Sequence, residues 1–170
     1  TTYTVTVTSS GCSASDAAVV YVNTTPTANA GSVATICSGT STTLTATGGG
    51  TYSWSNNGGS AATTSSLSPT TTTTYTVTVT SSNCSAIDAA IVFVNTTPTA
   101  NAGNDKTICE GTSTTLTATG GGTYAWSNNG GSSATTTSLN PTATTTYTVT
   151  VSNSSCSATD IAVVYVNPLP

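Results

Sequence analysis

The chain has 170 residues and carries almost no charge: Lys106 stands against Asp16, Asp88, Asp105, Glu110 and Asp160, for a formal net charge of −4. One lysine cannot build the basic patch that neutralises phosphates, which excludes nucleic acid and anionic membrane as partners. Histidine is absent, so no Ser-His-Asp or Cys-His set can be assembled.

Threonine makes up about a quarter of the residues, and with Ser, Gly and Asn it dominates the composition. Thr suits a pleated surface with one wet face, which points to β structure. Solubility must then rest on hydroxyls and amides, which suits an extracellular fibre better than a crowded cytoplasm. No segment is long and apolar enough to span a bilayer, and no signal peptide is recognisable; a mature secreted fragment would look like this.

The sequence repeats. Tyr3, Tyr75 and Tyr147 are evenly spaced (75 − 3 = 72 and 147 − 75 = 72). Cys12, Cys84 and Cys156 keep the same step, as do Cys37 and Cys109, and Trp54 and Trp126. Residues 1–23 read as a hairpin. Tyr3, Val5 and Val7 alternate with Thr at period two, a turn follows, and an apolar strand returns. Residues 24–31 form a first junction, where Pro26 lacks the amide hydrogen that a ladder needs.

Strands are then expected at 33–37, 41–47 and 51–55. The second has Leu44 and Ala46 facing in, and the third has Tyr52 and Trp54 on one face. Gly48-Gly49-Gly50 separates these two. Asn56-Asn57-Gly58-Gly59 is a tight-turn signal because Asn and Gly tolerate positive φ. A further strand covers 61–67, Pro69 turns a corner, and the hairpin returns at 73–95. Residues 96–103, with Pro98, copy the junction, and 104–167 copy the repeat. The organisation is thus a truncated repeat at 1–23, full repeats at 32–95 and 104–167, junctions at 24–31 and 96–103, and the start of another junction at 168–170.

Six or seven short strands per repeat, a buried Trp in the third and a Tyr opening the penultimate one describe an immunoglobulin-like sandwich. The expected fold is all-β: tandem immunoglobulin-like β-sandwich domains in an end-to-end array. A β-solenoid would repeat at a much shorter period. The core is assigned to Trp54, Trp126, Tyr75, Tyr147, Val77, Val79, Leu44 and Leu116. Units of this size bury little surface, so cross-links or neighbour contacts should help them.

Paired cysteines recurring in small repeats point to an oxidising compartment. In such a sandwich, Cys37 and Cys109 lie at the pole opposite Cys84 and Cys156. A strand of about eight residues at ~3.3 Å each separates the poles by more than the ~5.5 Å a disulfide wants. This favours a Cys37–Cys156 bond between neighbouring domains. Cys84 and Cys12 would then pair with earlier repeats and Cys109 with a later one. Bonds within each domain, Cys37–Cys84 and Cys109–Cys156, and free or interchain thiols stay open.

The carboxylates recur one per repeat at Asp16, Asp88 and Asp160, each just after the hairpin turn. A lone acid does not supply the facing pair of a glycosidase, and bonding to nearby turn amides or hydroxyls is the plain reading. Asp105 and Glu110 are weak calcium candidates; no cofactor is expected. The last strand is apolar on both faces; a bulge or a covering loop is the plain reading, and a lateral contact of Ile91, Phe93, Val163 and Tyr165 with another domain or chain is the alternative. The Thr rows read as a solvated face, with O-glycosylation second. Tyr52 with Trp54, and Tyr124 with Trp126, read as core before they read as a sugar groove.

The pattern TANAGNDKTICEGTSTTLTATGGGTYAWSNNGG…TTTYTVTVSNSSCSATD resembles the Ig-like and PKD-like repeats of giant secreted surface proteins of Bacteroidota. The ICxG and CSAxD cysteines and the central YxW carry the likeness. It implies a bacterial cell-surface adhesin or gliding-type filament, exported by a type IX pathway. The reading is therefore a structural repeat of a long extracellular filament or adhesin stalk, whose partners are copies of itself or neighbouring repeats in a fibre. A carbohydrate-binding repeat contacting surface glycans, and a non-catalytic accessory region of a large secreted enzyme, are the alternatives.

Overall fold

The structure is a computed structural model that describes residues 1–170. Its strands are β1 (Thr2–Ser9), β2 (Cys12–Val19), β3 (Ala34–Cys37), β4 (Thr51–Trp54), β5 (Thr73–Ser81), β6 (Cys84–Asn95), β7 (Lys106–Cys109), β8 (Thr123–Trp126), β9 (Thr145–Ser152) and β10 (Ser157–Asn167). They form a two-stranded sheet β1-β2 and two four-stranded sheets of equivalent order, β3-β6-β5-β4 and β7-β10-β9-β8. Two compact units result. One holds Thr1–Val33, Thr43–Leu67 and Thr74–Ile91; the other holds Ala34–Thr42, Ser68–Thr73 and Val92–Pro170.

The sandwich built around β9 shows why the sequence folds this way. Thr145–Ser152 alternates Thr with Tyr147, Val149 and Val151, so one face is apolar and must be covered. Hydrogen bonding to β10 and β8 places Ala162 opposite Tyr147 and Trp126 opposite Val149 on that face. Short β7 joins β10 in parallel, Lys106 opposite Val164 through Cys109 opposite Asn167. A second layer supplies Ala102, Leu116, Ala118 and Leu139, which bury against the β8, β9 and β10 residues as one cluster that includes Val164. In the preceding repeat Trp54, Tyr75, Val77, Val79 and Leu44 are buried likewise, as Leu116 and Trp126 are in the later one.

The second layer differs from expectation. Residues 41–47 and 61–67, and their copies, are not continuous strands. They meet at isolated antiparallel bridges, Thr45 with Thr63, Thr117 with Thr135 and Thr114 with Leu139. Side-chain competition with the backbone is the cause. The Leu44 N–H donates to Thr64 Oγ1 at 3.0 Å, and Leu116 N–H to Thr136 Oγ1 at 3.0 Å, instead of to a main-chain carbonyl. Thr64 and Thr136 are the only buried polar side chains, and no buried side-chain N or O lacks a partner.

The last residues of each junction also join this layer. Asn29 exchanges two main-chain hydrogen bonds with Thr47, and Asn101 two with Thr119. The Asn-Asn-Gly-Gly turns have φ of 51° and 60° at Asn56 and Asn57, and 51° and 59° at Asn128 and Asn129. These are left-handed values that Asn adopts at low cost.

The hairpin β1-β2 stands apart in exposure. Tyr3, Val5 and Val7 are 62%, 62% and 65% exposed, whereas Tyr75, Val77 and Val79 are at most 4% exposed. No helix of the chain is long and apolar enough to cross a membrane.

Replacing Thr136 by Val keeps the shape but leaves the buried Leu116 amide without an acceptor. Denaturant unfolding should show a loss of about 1–3 kcal/mol, while Thr136→Ser should lose less than half of that. Equal losses would mean that packing of the threonine methyl, not the hydroxyl, holds the layer.

Candidate functional site

Two of the cysteines that recur with the repeat step meet at the repeat junction. β3 ends in Cys37, opposite Asn95 at the end of β6. The Ser38 N–H donates to Asn95 O at 2.8 Å, and Thr97 Oγ1 to Ser38 O at 3.1 Å. Against this edge lies the turn before β10. Asn153 organises it: its Oδ1 accepts from the Cys156 and Ser155 amides at 2.8 and 3.1 Å, and its Nδ2 donates to Thr96 O at 2.8 Å.

Held so, Cys156 is bonded to Cys37, with Cα atoms 5.8 Å apart and a sequence separation of 119. Both cysteines fall in the second compact unit. By sequence, however, the bond joins a residue of the 32–95 repeat to one of the 104–167 repeat. Closing a loop of that length removes about 4–5 kcal/mol of denatured-state entropy in the chain-entropy account. Neither Cys37 nor Cys156 bonds a cysteine of its own repeat; Cys12, Cys84 and Cys109 are free.

Half of the same arrangement is present one period earlier. The Cys84 thiol points at Asn23 O, 3.9 Å away, as Cys156 Sγ lies 4.0 Å from Asn95 O. The Asn23 Nδ2 donates to Ser82 O at 2.8 Å, across the same turn. Val20, Tyr21 and Val22, whose copies accept β3 and β7 in parallel, are 50%, 84% and 84% exposed.

Carboxylates hold the other side of each junction. Asp88 Oδ2 accepts from the Ala30 N–H and Asp160 Oδ2 from the Ala102 N–H, both at 2.8 Å and across 58 residues. Nearby turn amides or hydroxyls are the expected partners of these acids, and each does accept from the adjacent amide. Their strands also aim them at the junction, where Asn29 and Asn101 pair into the second layer. Asn29 and Asn101 each accept from the glycine two residues on, at 2.8 Å, which turns the Ala amide toward its Asp. Donation first from the Ala30 or Ala102 amide, then from the next residue's own amide, holds both carboxyls below the usual 3.8. Asp16, in the exposed hairpin, accepts from the adjacent Ala17 amide.

Gly48 and Gly120 show how tightly the junction is seated. At φ of +146° and +149°, a Cβ would lie 2.2 Å from Thr27 O and from Thr99 O respectively.

The other candidate residues lie elsewhere. Asp105 Oδ1 accepts from the Val163 N–H at 2.8 Å, and the Glu110 main chain donates to Asn167 O at 2.9 Å. No group of three or more Cys, Asp or Glu side chains gathers to hold a metal ion. Trp54 and Trp126 are buried with their indole N–H groups on Ala61 O and Ser133 O at 3.1 and 3.2 Å. Tyr52 and Tyr124 beside them are half-buried, so the pairs offer no open aromatic platform. Ile91 and Val163 are half-buried, and Phe93 and Tyr165 are 43% and 45% exposed on the outer face of their sheets.

No protein-family model matches the chain, and no curated protein matches it. Solved structures do. A three-Ig fragment of titin, domains I67–I69 in an E-to-A variant, aligns over 98% of this chain and 74% of its own at 12% identity, with a TM-score of 0.52. The fold is immunoglobulin-like. Extracellular domains 3–5 of Drosophila OTK (12% identity, 98% of this chain and 70% of that one, TM-score 0.46) and the insect immune protein hemolin (14%, 98% and 56%, 0.46) also align. At these identities the likeness is one of fold.

The carboxylate clamp gives a pH dependence. A carboxyl whose folded value is depressed stabilises fully above its unfolded value, and the contribution is lost as pH falls through the lower folded one. Acid titration followed by Trp fluorescence should therefore show loosening below about pH 4, and the Asp88→Asn, Asp160→Asn double variant should flatten that limb. An unchanged acid limb in the variant would mean that the carboxylates do not hold the junction.

Proposed function

We propose that this chain is a stretch of a structural repeat array, part of a long extracellular filament or adhesin stalk. The observation that carries the reading is the Cys37–Cys156 bond, which ties one repeat to the next across Pro98. A cross-link at that place restrains the connection between consecutive repeats. The reading also has support from what the repeats preserve. The constant step keeps core residues, turn asparagines, junction acids and cysteines, all of which serve folding and linkage.

In this role each sandwich is a spacer, and the repeats at 32–95 and 104–167 act in series to hold a tip or a cell at a distance. The disulfide suits an oxidising, cell-exterior setting. The near absence of charge removes the repulsion that would keep like copies apart. The likeness of ICxG, YxW and CSAxD to repeats of giant secreted surface proteins of Bacteroidota supports a source among such bacteria. The reading is of a non-enzymatic part.

Electron micrographs of the native material are the test. Thin fibres or stalks with a regular axial repeat are expected, and compact globular particles with no axial repeat would contradict the proposal.

A further inference from the structure

Residue spacing turns the single observed bond into a statement about a whole array. Cys37 bonds a cysteine 119 positions ahead. That distance is one full period (109 − 37 = 72) plus the step between the two cysteines of one repeat (156 − 109 = 47, as 84 − 37 = 47). The bond therefore overreaches the next repeat's own first cysteine, Cys109. Staples of this kind, laid down once per period, must overlap.

We infer that the cysteines left free here, Cys12, Cys84 and Cys109, are halves of further staples in the same register, and that the staggered bonds form two interleaved covalent paths that bypass most of the polypeptide. The inference deepens the reading of the chain as a mechanical array and rests on it for its biological meaning. The half-site geometry supports the register. Cys84 stands on the Asn23 carbonyl at 3.9 Å as bonded Cys156 stands at 4.0 Å from that of Asn95. Val20, Tyr21 and Val22 are the copies of the residues that accept β3 and β7 in parallel. At the other end of the register, β7 already carries Cys109 opposite Asn167, exposed and unbonded.

The mechanical consequence is arithmetic. A path that leaves one staple at a CSAxD cysteine reaches the next ICxG cysteine after a short run of backbone (37 − 12 = 25, as 109 − 84 = 25). It then jumps a separation of 119 through a sulfur bridge. Two whole periods are thus crossed with that one short run. At ~3.5 Å per extended residue the stapled array reaches about 90 Å per two repeats even when every sandwich is unfolded, against about 500 Å without bonds. Bonds within repeats would leave one such run per repeat, and so about 175 Å per two repeats. The observed register thus gives the shortest covalent path, and the array is a strain-limited cable whose folded domains cannot be pulled out into long tethers.

Each staple forms by thiol–disulfide exchange. One thiolate attacks a small-molecule disulfide, such as oxidised glutathione, and the second thiolate displaces the mixed disulfide. Two protons and two electrons leave the protein, and the oxidant departs as two thiols.

The test uses this chain and the same chain lengthened by in-register copies of residues 24–95 after Asn95, both folded in a glutathione buffer. Titration of free thiols under denaturing, non-reducing conditions should find three per molecule whatever the number of copies added. One per molecule would mean bonding within repeats, and a number rising with length would mean unbonded cysteines; either overturns the inference. Pulling the lengthened chain by its ends should then give about 90 Å per two added repeats, with about 175 or 500 Å overturning it. For the original chain alone, reduction should release about 400 Å of hidden length. These readouts concern connectivity on purified protein, so they can fail while micrographs still show fibres, and the converse.

Discussion

Each repeat has one strand with a wholly apolar face, and everything else is arranged to cover it. Tyr147, Val149 and Val151, like Tyr75, Val77 and Val79, are buried to 4% exposure or less. So little apolar material is present elsewhere that the covering layer is thin: two alanines and two leucines, with a threonine hydroxyl substituting for a ladder carbonyl. A sandwich closed so sparingly gains much from constraints imposed outside its core.

Those outside constraints converge on the junctions. The acid after the hairpin turn holds the alanine amide of the junction. The asparagine before the turn holds the carbonyl that follows the previous repeat's last strand, and the disulfide closes over that edge. The first two are polar contacts that exchange with water at modest net gain. The third is covalent and acts chiefly on the unfolded chain. Short-range ordering and long-range restraint are therefore supplied by different chemistry at the two sides of the junction.

Strand alternation, the Asn-Asn-Gly-Gly turns and the constant repeat step made the sandwich and its core legible in the sequence, because each depends on local chemistry. What stayed hidden depends on contacts far apart in the chain. The pairing of Asn29 with Thr47 and the clamp from Asp88 to Ala30 both cross intervening strands or loops, and no local pattern marks either. The signal available was their joint recurrence. An Asn-Ala-Gly in each junction is followed, at one fixed distance from its alanine, by the acid at Asp88 or Asp160. The broken second layer was missed for a related reason. Thr64 and Thr136 look like any other threonine of a polar strand face until their hydroxyls are seen to take the place of a carbonyl.

A covalent tie that spans repeats is the feature on which the proposed mechanical role depends. Proteolysis of the oxidised chain without reductant, followed by mass spectrometry, reads it directly. A cross-linked peptide pair holding Cys37 and Cys156 is what the structure requires. A Cys37–Cys84 or Cys109–Cys156 pair in its place would contradict it.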